Sequence, residues 1–307
     1  MFYYLYYFIT YSIRTLLNRQ KLERTIEPML LTTEENAVLD FTSTLKLNYS
    51  VVYGLFIFFI NRISNKSFKN ANHDLKVINL GSGPGICSTL INKYTPYKKV
   101  IGVDLSEAMI DVANRYVNLQ NQGNDIEFAK CDITNLNLYI DKSFDLVTSL
   151  DASHHLPSHL HLKKMINESE RICNDEGIIF IFDLLRPKTK DLAEGYVKWM
   201  GANTLLKGKK YFYEDFYHSV MAAWSKEEFI SAVPPNTNKI WYHLQAFGFS
   251  PIQMLVGVSK NHGDLIKTQN PNLDFIKNII PKEYWGLWLL SKNVYKKSIV
   301  TKLQPHH

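Results

Sequence analysis

LKVINLGSGPG, residues 75–85, is the stretch on which the reading of this 307-residue chain turns. Val77, Ile78 and Leu80 supply the apolar run of a buried strand, and the chain then bends through Gly81, Gly83 and Gly85 in the spacing G-x-G-x-G. Such a turn predicts a nucleotide-like ligand. Glycine adopts φ > 0 and lets bare backbone approach the ligand, while the free N–H groups of the helix that follows, from about Ile86, face the same place. Asp104, closing VIGVDLS, falls at the end of the next strand, where a carboxylate can accept both hydroxyls of a ribose.

Working outward, strand and helix patterns alternate from Leu75 onward, which predicts an α/β fold with a doubly wound parallel sheet covered on both faces. Ser106 is placed to cap a helix whose Met109, Val112, Ala113 and Tyr116 repeat on one face, with Glu107 at its positive end. Residues 126–129, 144–149 and 178–182 read as three further strands, and Leu162, Met165, Ile166 and Ile172 mark the helix between the last two. A sixth strand is expected at 248–258 and a seventh at 285–292.

Three more segments follow the glycine turn: KCDI (130–133), FDLVTSLDASHHLP (144–157) and ESERICNDEGIIFIFDLLRP (168–187). In this order and at these spacings the set resembles the class I S-adenosylmethionine-dependent methyltransferases, in particular the small-molecule branch that includes quinone-biosynthesis enzymes, over about residues 75–187. The resemblance implies a Rossmann-like sheet of seven strands and S-adenosyl-L-methionine as cofactor. It assigns Gly81, Ser82, Gly83 and Gly85 to the methionine and ribose portion of the donor, Asp104 to the ribose hydroxyls and Asp132 to the adenine amino group. Leu105, Met109 and Ile133 are then expected to pack on the adenine ring. Asn79 departs from the family pattern, in which this position is commonly acidic and helps hold the donor's ammonium group. An amide keeps an acceptor oxygen but loses the charge. In the family the last two strands form a tight pair, the seventh antiparallel. Here an insertion at 259–284 separates the two expected strands and reads as a lid. TIEPMLLT (25–32) is similar to an N-terminal signature of some bacterial members, and the segment 211–229 to one that follows the core in a subgroup.

His154 and His155 follow the fourth strand, at the edge where ligands of open α/β sheets bind. Histidine takes protons near neutral pH, so the pair are the candidate catalytic residues, with His155 favoured as general base because it aligns with the second histidine of the H-H-L stretch in the resembling enzymes. His159 and His161 complete a cluster of four, yet no Cys or carboxylate quartet accompanies them in the sequence, and no metal is expected. Methyltransferases acting on exocyclic amines of adenine or on glutamine carry a D/N-P-P-Y/F motif where this chain has Ser149, Leu150, Asp151 and Ala152. That leaves O-, C- or N-methylation of a small acceptor, and the aromatic residues outside the core suit an apolar or aromatic one. Two other readings are a nicotinamide-dependent oxidoreductase, against which the loop lacks the full G-x-G-x-x-G, and a non-catalytic ligand-binding or partner-binding protein on the same fold, suggested by Asn79.

The composition, 46% hydrophobic and 21% charged, is that of a globular protein, and a formal charge of +6 with no Lys/Arg block argues against nucleic acid as a partner. Cys87, Cys131 and Cys173 form no C-x-x-C pair and read as reduced, buried thiols of a cytoplasmic protein. The aromatic start MFYYLYYFITYSI is too short for a membrane span; it predicts a helix packed over the ligand cleft, with Arg14, Arg19, Lys21 and Arg24 beyond it allowing peripheral membrane contact as the alternative. Residues 51–60 are apolar all round and read as a buried helix, and 64–74 as a polar linker. These divide the chain into an N-terminal helical cap, 1–70, and a donor-binding domain, 71–307.

Overall fold

A computed structural model describes residues 2–19, 21–28, 49–67, 73–120, 125–206, 210–245, 251–262, 276–282 and 299–303, with residues 42, 45, 123 and 285 besides. Strands β1 (Lys76–Leu80), β2 (Lys99–Asp104), β3 (Ile126–Lys130), β4 (Phe144–Leu150), β5 (Cys173–Leu184), β6 (Lys239–Gln245), β7 (Ile252–Ser259) and β8 (Ile299–Lys302) form one sheet in the order β3-β2-β1-β4-β5-β7-β6-β8. The first five run parallel, and β7 enters antiparallel between β5 and β6. The strand order reverses between β1 and β4. A ligand crevice is expected outside the carboxyl ends of those two strands.

Crossovers carry helices to opposite faces on either side of that reversal. One face is covered by α2 (Ser50–Ser67), α3 (Ile86–Tyr94) and α4 (Glu107–Leu119), the other by α5 (His159–Ile172). Phe56 of α2 stacks on Phe180 of β5 with ring centroids 5.3 Å apart, and both are fully buried. The apolar run read as a buried helix is therefore a sheet-covering layer, and 64–67 belong to it rather than to a linker. Ser106 caps α4 by accepting from the Met109 N–H, as its position before Glu107 predicts.

The remaining helices, α1 (Phe2–Leu17), α6 (Lys190–Leu206), α7 (Lys210–Ala222), α8 (Lys226–Ser231) and α9 (Ile276–Ile279), complete the described elements. A separate apolar cluster joins α1, α6 and α7, with Tyr11 6.1 Å from Tyr196 and Tyr196 5.5 Å from Phe216.

Among the described residues the sheet has eight strands where seven were expected, and the C-terminal assignment is corrected. The sixth strand is KIWYHLQ, residues 239–245, while the segment taken as the sixth is the seventh, 252–259. Alternation in KIWYHLQ is masked because Lys239, His243 and Gln245 are all buried: Lys239 Nζ donates to the carbonyls of Asn174 and Gly177, and His243 pairs with Gln253. With this pairing, β6 and β7 are close in sequence and no long insertion separates them. Of the segment expected as a seventh strand only Trp285 is described, and it is helical; 286–298 lie outside the described residues, as does most of the expected lid at 259–284.

Candidate active site

At the carboxyl end of β1 the three glycines take φ of 67°, 52° and 82° at 81, 83 and 85, the left-handed region that side chains avoid. A Cβ on Gly81 would lie 2.3 Å from the Ala152 Cβ, so this glycine lets the β1 turn and the β4 turn touch. A Cβ on Gly83 would meet nothing within 4 Å. The Gly83 N–H donates to Asp104 Oδ2 at 2.8 Å and the Ser106 N–H to Asp104 Oδ1 at 2.9 Å. Burial still pushes the Asp104 carboxyl above its ordinary value, against those two hydrogen bonds. Ser82 Oγ and Asn79 Oδ1 are buried without partners, the Asn79 amide donating to Ser88 Oγ at 3.1 Å. An open glycine surface, an under-compensated carboxylate and an orphaned hydroxyl fit the ribose and methionine portion of a nucleoside donor.

Other expected donor residues stand on the same rim. Leu105, 61% exposed, follows β2, Met109 is buried in the first turn of α4, and Ile133 is half-buried beyond β3. Asp132 is exposed, and its Oδ1 accepts from the Thr134 N–H and hydroxyl at 2.8 and 2.9 Å, so only its second oxygen is free of the loop.

After β4, a single 3-10 turn, Ser153–His155, presents the two histidines in opposite senses. His154 is buried, its Nδ1 2.6 Å from Asp183 Oδ1 at the end of β5, and its backbone N–H donates to Asp183 Oδ2 at 3.1 Å. The Ser153 hydroxyl and the Leu184 N–H also donate to Asp183, which leaves that carboxylate saturated. His154 is thus anchored within the fold. His155 is 56% exposed, with Nδ1 3.0 Å from Glu27 Oε2. Burial lowers its pKa, but the hydrogen bond to Glu27 and the charges of Glu27, Asp215 and Asp183 outweigh this and push it up to about 9. A ring protonated at neutral pH cannot take a further proton, which argues against the general-base role expected for His155.

Sequence reasoning missed the carboxylates that govern this turn. Glu27, from the signature-like TIEPMLLT, is held by the Ser219 hydroxyl at 2.8 Å and lies 3.6 Å from His154 Nε2. Arg24 fixes the segment carrying it: Nε donates to the Ala222 carbonyl at 2.6 Å, Nη2 to the His154 and Leu156 carbonyls at 2.7 and 2.6 Å, and the guanidinium stacks 3.7 Å over Trp224. Asp215, on α7, is pushed up to about 7 by burial and by Glu27, with His155 and His154 pulling the other way. Asp151 directly follows β4 at φ 48°, one Oδ buried without a partner. Glu27, His154 and His155 also form a group able to ligate a metal ion, contrary to the expectation from sequence, where Glu27 is remote. At the opposite ends of β4 and β5 a second cleft is lined by charges already paired, Arg171 with Glu168 and Asp141, Lys142 with Asp175.

Residues 78–181 match the family model of the methyltransferase domain. Over that stretch the chain is similar to methyltransferase domains, and it shares the α/β fold of solved methyltransferases. Demethylmenaquinone methyltransferase of Thermotoga maritima is 29% identical over 115 residues, 38% of this chain and 46% of that protein. A second curated relative, a methyltransferase of Saccharomyces cerevisiae, is 25% identical over 118 residues, and the chain spans 38% of its length. Among solved structures, plantazolicin methyltransferase BamL, in complex with a triazolic desmethylPZN analog and SAH, shares the fold with a TM-score of 0.54 at 16% identity, over 75% of this chain and 93% of that one. A Nostoc punctiforme protein does so with a TM-score of 0.51 at 13% identity, over 82% and 68%.

Proposed function

We propose that the protein transfers a methyl group from S-adenosyl-L-methionine to a small, apolar or aromatic acceptor bound beside His155. The observation that carries this reading is the Gly83 N–H to Asp104 hydrogen bond, which fixes an under-compensated carboxylate beside an open glycine surface at the β1/β4 crevice. The demethylmenaquinone specificity in the Thermotoga relative's name and the SAH in the plantazolicin enzyme's structure support it. When bound, the donor supplies an electrophilic sulfonium methyl, so the chain's task is to align the acceptor, exclude water and manage one proton.

Gly81, Ser82, Gly83, Gly85 and Asp104 hold the methionine and ribose, Asp132 the adenine amino group, and Leu105, Met109 and Ile133 the ring. On the acceptor side Asp215 takes the proton, because a carboxyl with a pKa of about 7 is matched to neutral solution. His155, kept cationic by Glu27, stabilises the anion that forms. Tyr49, whose phenol neighbours both Asp151 and Asp215, gives this side an aromatic wall. The test is transfer of labelled methyl from the donor to a panel of phenols, quinols and aliphatic amines, alongside donor titration by calorimetry. Donor binding without transfer to any compound or to a metabolite extract would favour the non-catalytic reading; no donor binding would sink both.

The N-terminal helix supports a peripheral contact. Tyr6, Ile9, Ile13, Leu16 and Leu17 of α1 are 46–78% exposed at spacings that place them on one face, opposite buried Tyr11, with Arg14 and Arg19 exposed nearby. Among the described residues no helix is long and apolar enough to cross a membrane. The stripe suits the surface of an anionic bilayer, from which an apolar acceptor would be drawn. Co-sedimentation with phosphatidylglycerol vesicles, lost in Ile13→Glu, checks it; equal binding by both proteins refutes it.

A further inference from the structure

We propose that Asp151 is the anchor for the donor's α-ammonium group, in place of the acidic residue that Asn79 replaces. This rests on the donor reading above. Three features of the structure lead to it. First, Asn79 is committed elsewhere: its amide donates to Ser88 Oγ at 3.1 Å, and its buried, unpartnered oxygen carries no full charge. Second, Asp151 stands where the methionine portion has to lie. It directly follows β4, next to the β1/β4 crevice, and its neighbour Ala152 abuts Gly81, the first glycine of the turn. Asp104 marks the ribose from the β2 side, so the amino-acid end of the donor extends toward β4. Third, Asp151 has a buried Oδ1 with no hydrogen-bond partner, and its backbone is held at φ 48°. Such a carboxylate costs free energy until a cation or donor reaches it.

The surrounding charges make the contrast sharper. Burial first, and then the charge of Asp183 on β5, a saturated carboxylate, push the Asp151 carboxyl up, with His155 on the 3-10 turn opposing. The other titratable neighbours are Tyr49, Tyr53 of α2 and Cys87 of α3; burial first of all pushes the pKa of each of them up, which keeps them neutral. None of these is a cation committed to Asp151. Arg24 faces away, onto backbone carbonyls of 154, 156 and 222. An ammonium arriving in the crevice therefore meets a carboxyl whose Oδ1 has no hydrogen-bond partner, and its positive charge favours the ionised form that burial and Asp183 disfavour in the empty site.

The experiment compares three probes by calorimetry on the full chain: S-adenosylmethionine, S-adenosylhomocysteine, and the desamino analogue of the latter, which keeps the nucleoside and carboxylate but lacks the ammonium. Asp151→Asn is the variant of choice, because Asn adopts left-handed φ readily and is isosteric. Affinity for both amino-bearing probes should fall roughly 10- to 100-fold while the desamino analogue binds as tightly as before. Adding Asn79→Asp to that variant should recover part of the loss. Equal weakening for all three probes would show a packing role and overturn the proposal, as would unchanged affinities. A loss confined to S-adenosylmethionine would assign Asp151 to the sulfonium and also overturn it. If the unaltered protein binds the homocysteine product normally while the amino group makes no difference, only this inference fails; if it binds no probe, the donor reading fails as well.

Discussion

The assignment of Asp215 as proton acceptor and His155 as a fixed cation makes the pH dependence of turnover a quantitative test. Asp215 must be ionised, and its pKa of about 7 sets an acid limb; His155 must stay protonated, and its pKa of about 9 sets an alkaline one. Activity should therefore peak near pH 8. Between pH 8 and pH 6 the active fraction should fall roughly ninefold, and by about tenfold for each unit below that. The profile of kcat/KM is the one to measure, since it reports groups of the free enzyme. Asp215→Asn should lower kcat/KM by on the order of 100-fold and abolish the acid limb, with donor affinity unchanged. Glu27→Gln removes the carboxylate that raises His155, so the alkaline limb should move down toward the ordinary histidine range. An acid limb that survives in Asp215→Asn would refute the reasoning. So would a profile with a single limb near the ordinary histidine pKa, which would restore His155 as the base.

The other predictions concern the donor turn and the N-terminal segment. Asp104→Ala should weaken donor binding by about 1.5–3 kcal/mol, because ribose hydroxyls lose a charged acceptor, and unchanged calorimetric affinity would remove Asp104 from the site. Gly81→Ala combines left-handed strain of about 1–2 kcal/mol with a methyl 2.3 Å from Ala152, so both stability and donor affinity should fall, and Ala152→Gly should recover the steric part only. Thermal unfolding unaffected by Gly81→Ala would contradict the turn geometry. Arg24→Met keeps an apolar stem beside Trp224 but removes short bonds to three carbonyls, and should destabilise by about 2–4 kcal/mol in denaturant titration. A midpoint within error of the unaltered protein would show that the segment is not held by this guanidinium.

The glycine turn and the elements around it were legible because they are contiguous. Strand β1, the glycine turn, the β2 carboxylate and the Ser106 cap all lie within residues 76–109, and each obeys a local rule of backbone geometry or strand-end chemistry. Strand β6 was illegible for a reason equally local: its polar residues are buried and satisfied by partners at 174, 177 and 253, so no hydrophobic alternation survives. His154 and His155 were found as a pair, but their different fates depend on Asp183 and Glu27, which lie 29 and 128 residues from them in sequence. Reading the two histidines as one pair gave no way to tell the buried ring from the exposed one.

The proposed acceptor side draws on four separate stretches, and its charge balance explains why none of them signals it alone. Burial would raise the Glu27 carboxyl, but hydrogen bonds and charges from His155, His154 and Ser219 win, and the net shift is downward: Glu27 stays ionised only because the histidine turn and α7 surround it. The same ion pair then holds His155 cationic, while the negative charge of Glu27 helps push Asp215 up. One residue from an N-terminal segment thus sets the protonation of both groups proposed to handle the acceptor, in opposite states. Arg24, three residues before it, supplies the mechanical tie by saturating carbonyls of the histidine turn itself. Since that segment follows the helix bearing the exposed apolar stripe, a surface that engages α1 acts close in sequence to the residue on which the proton balance of the cleft depends.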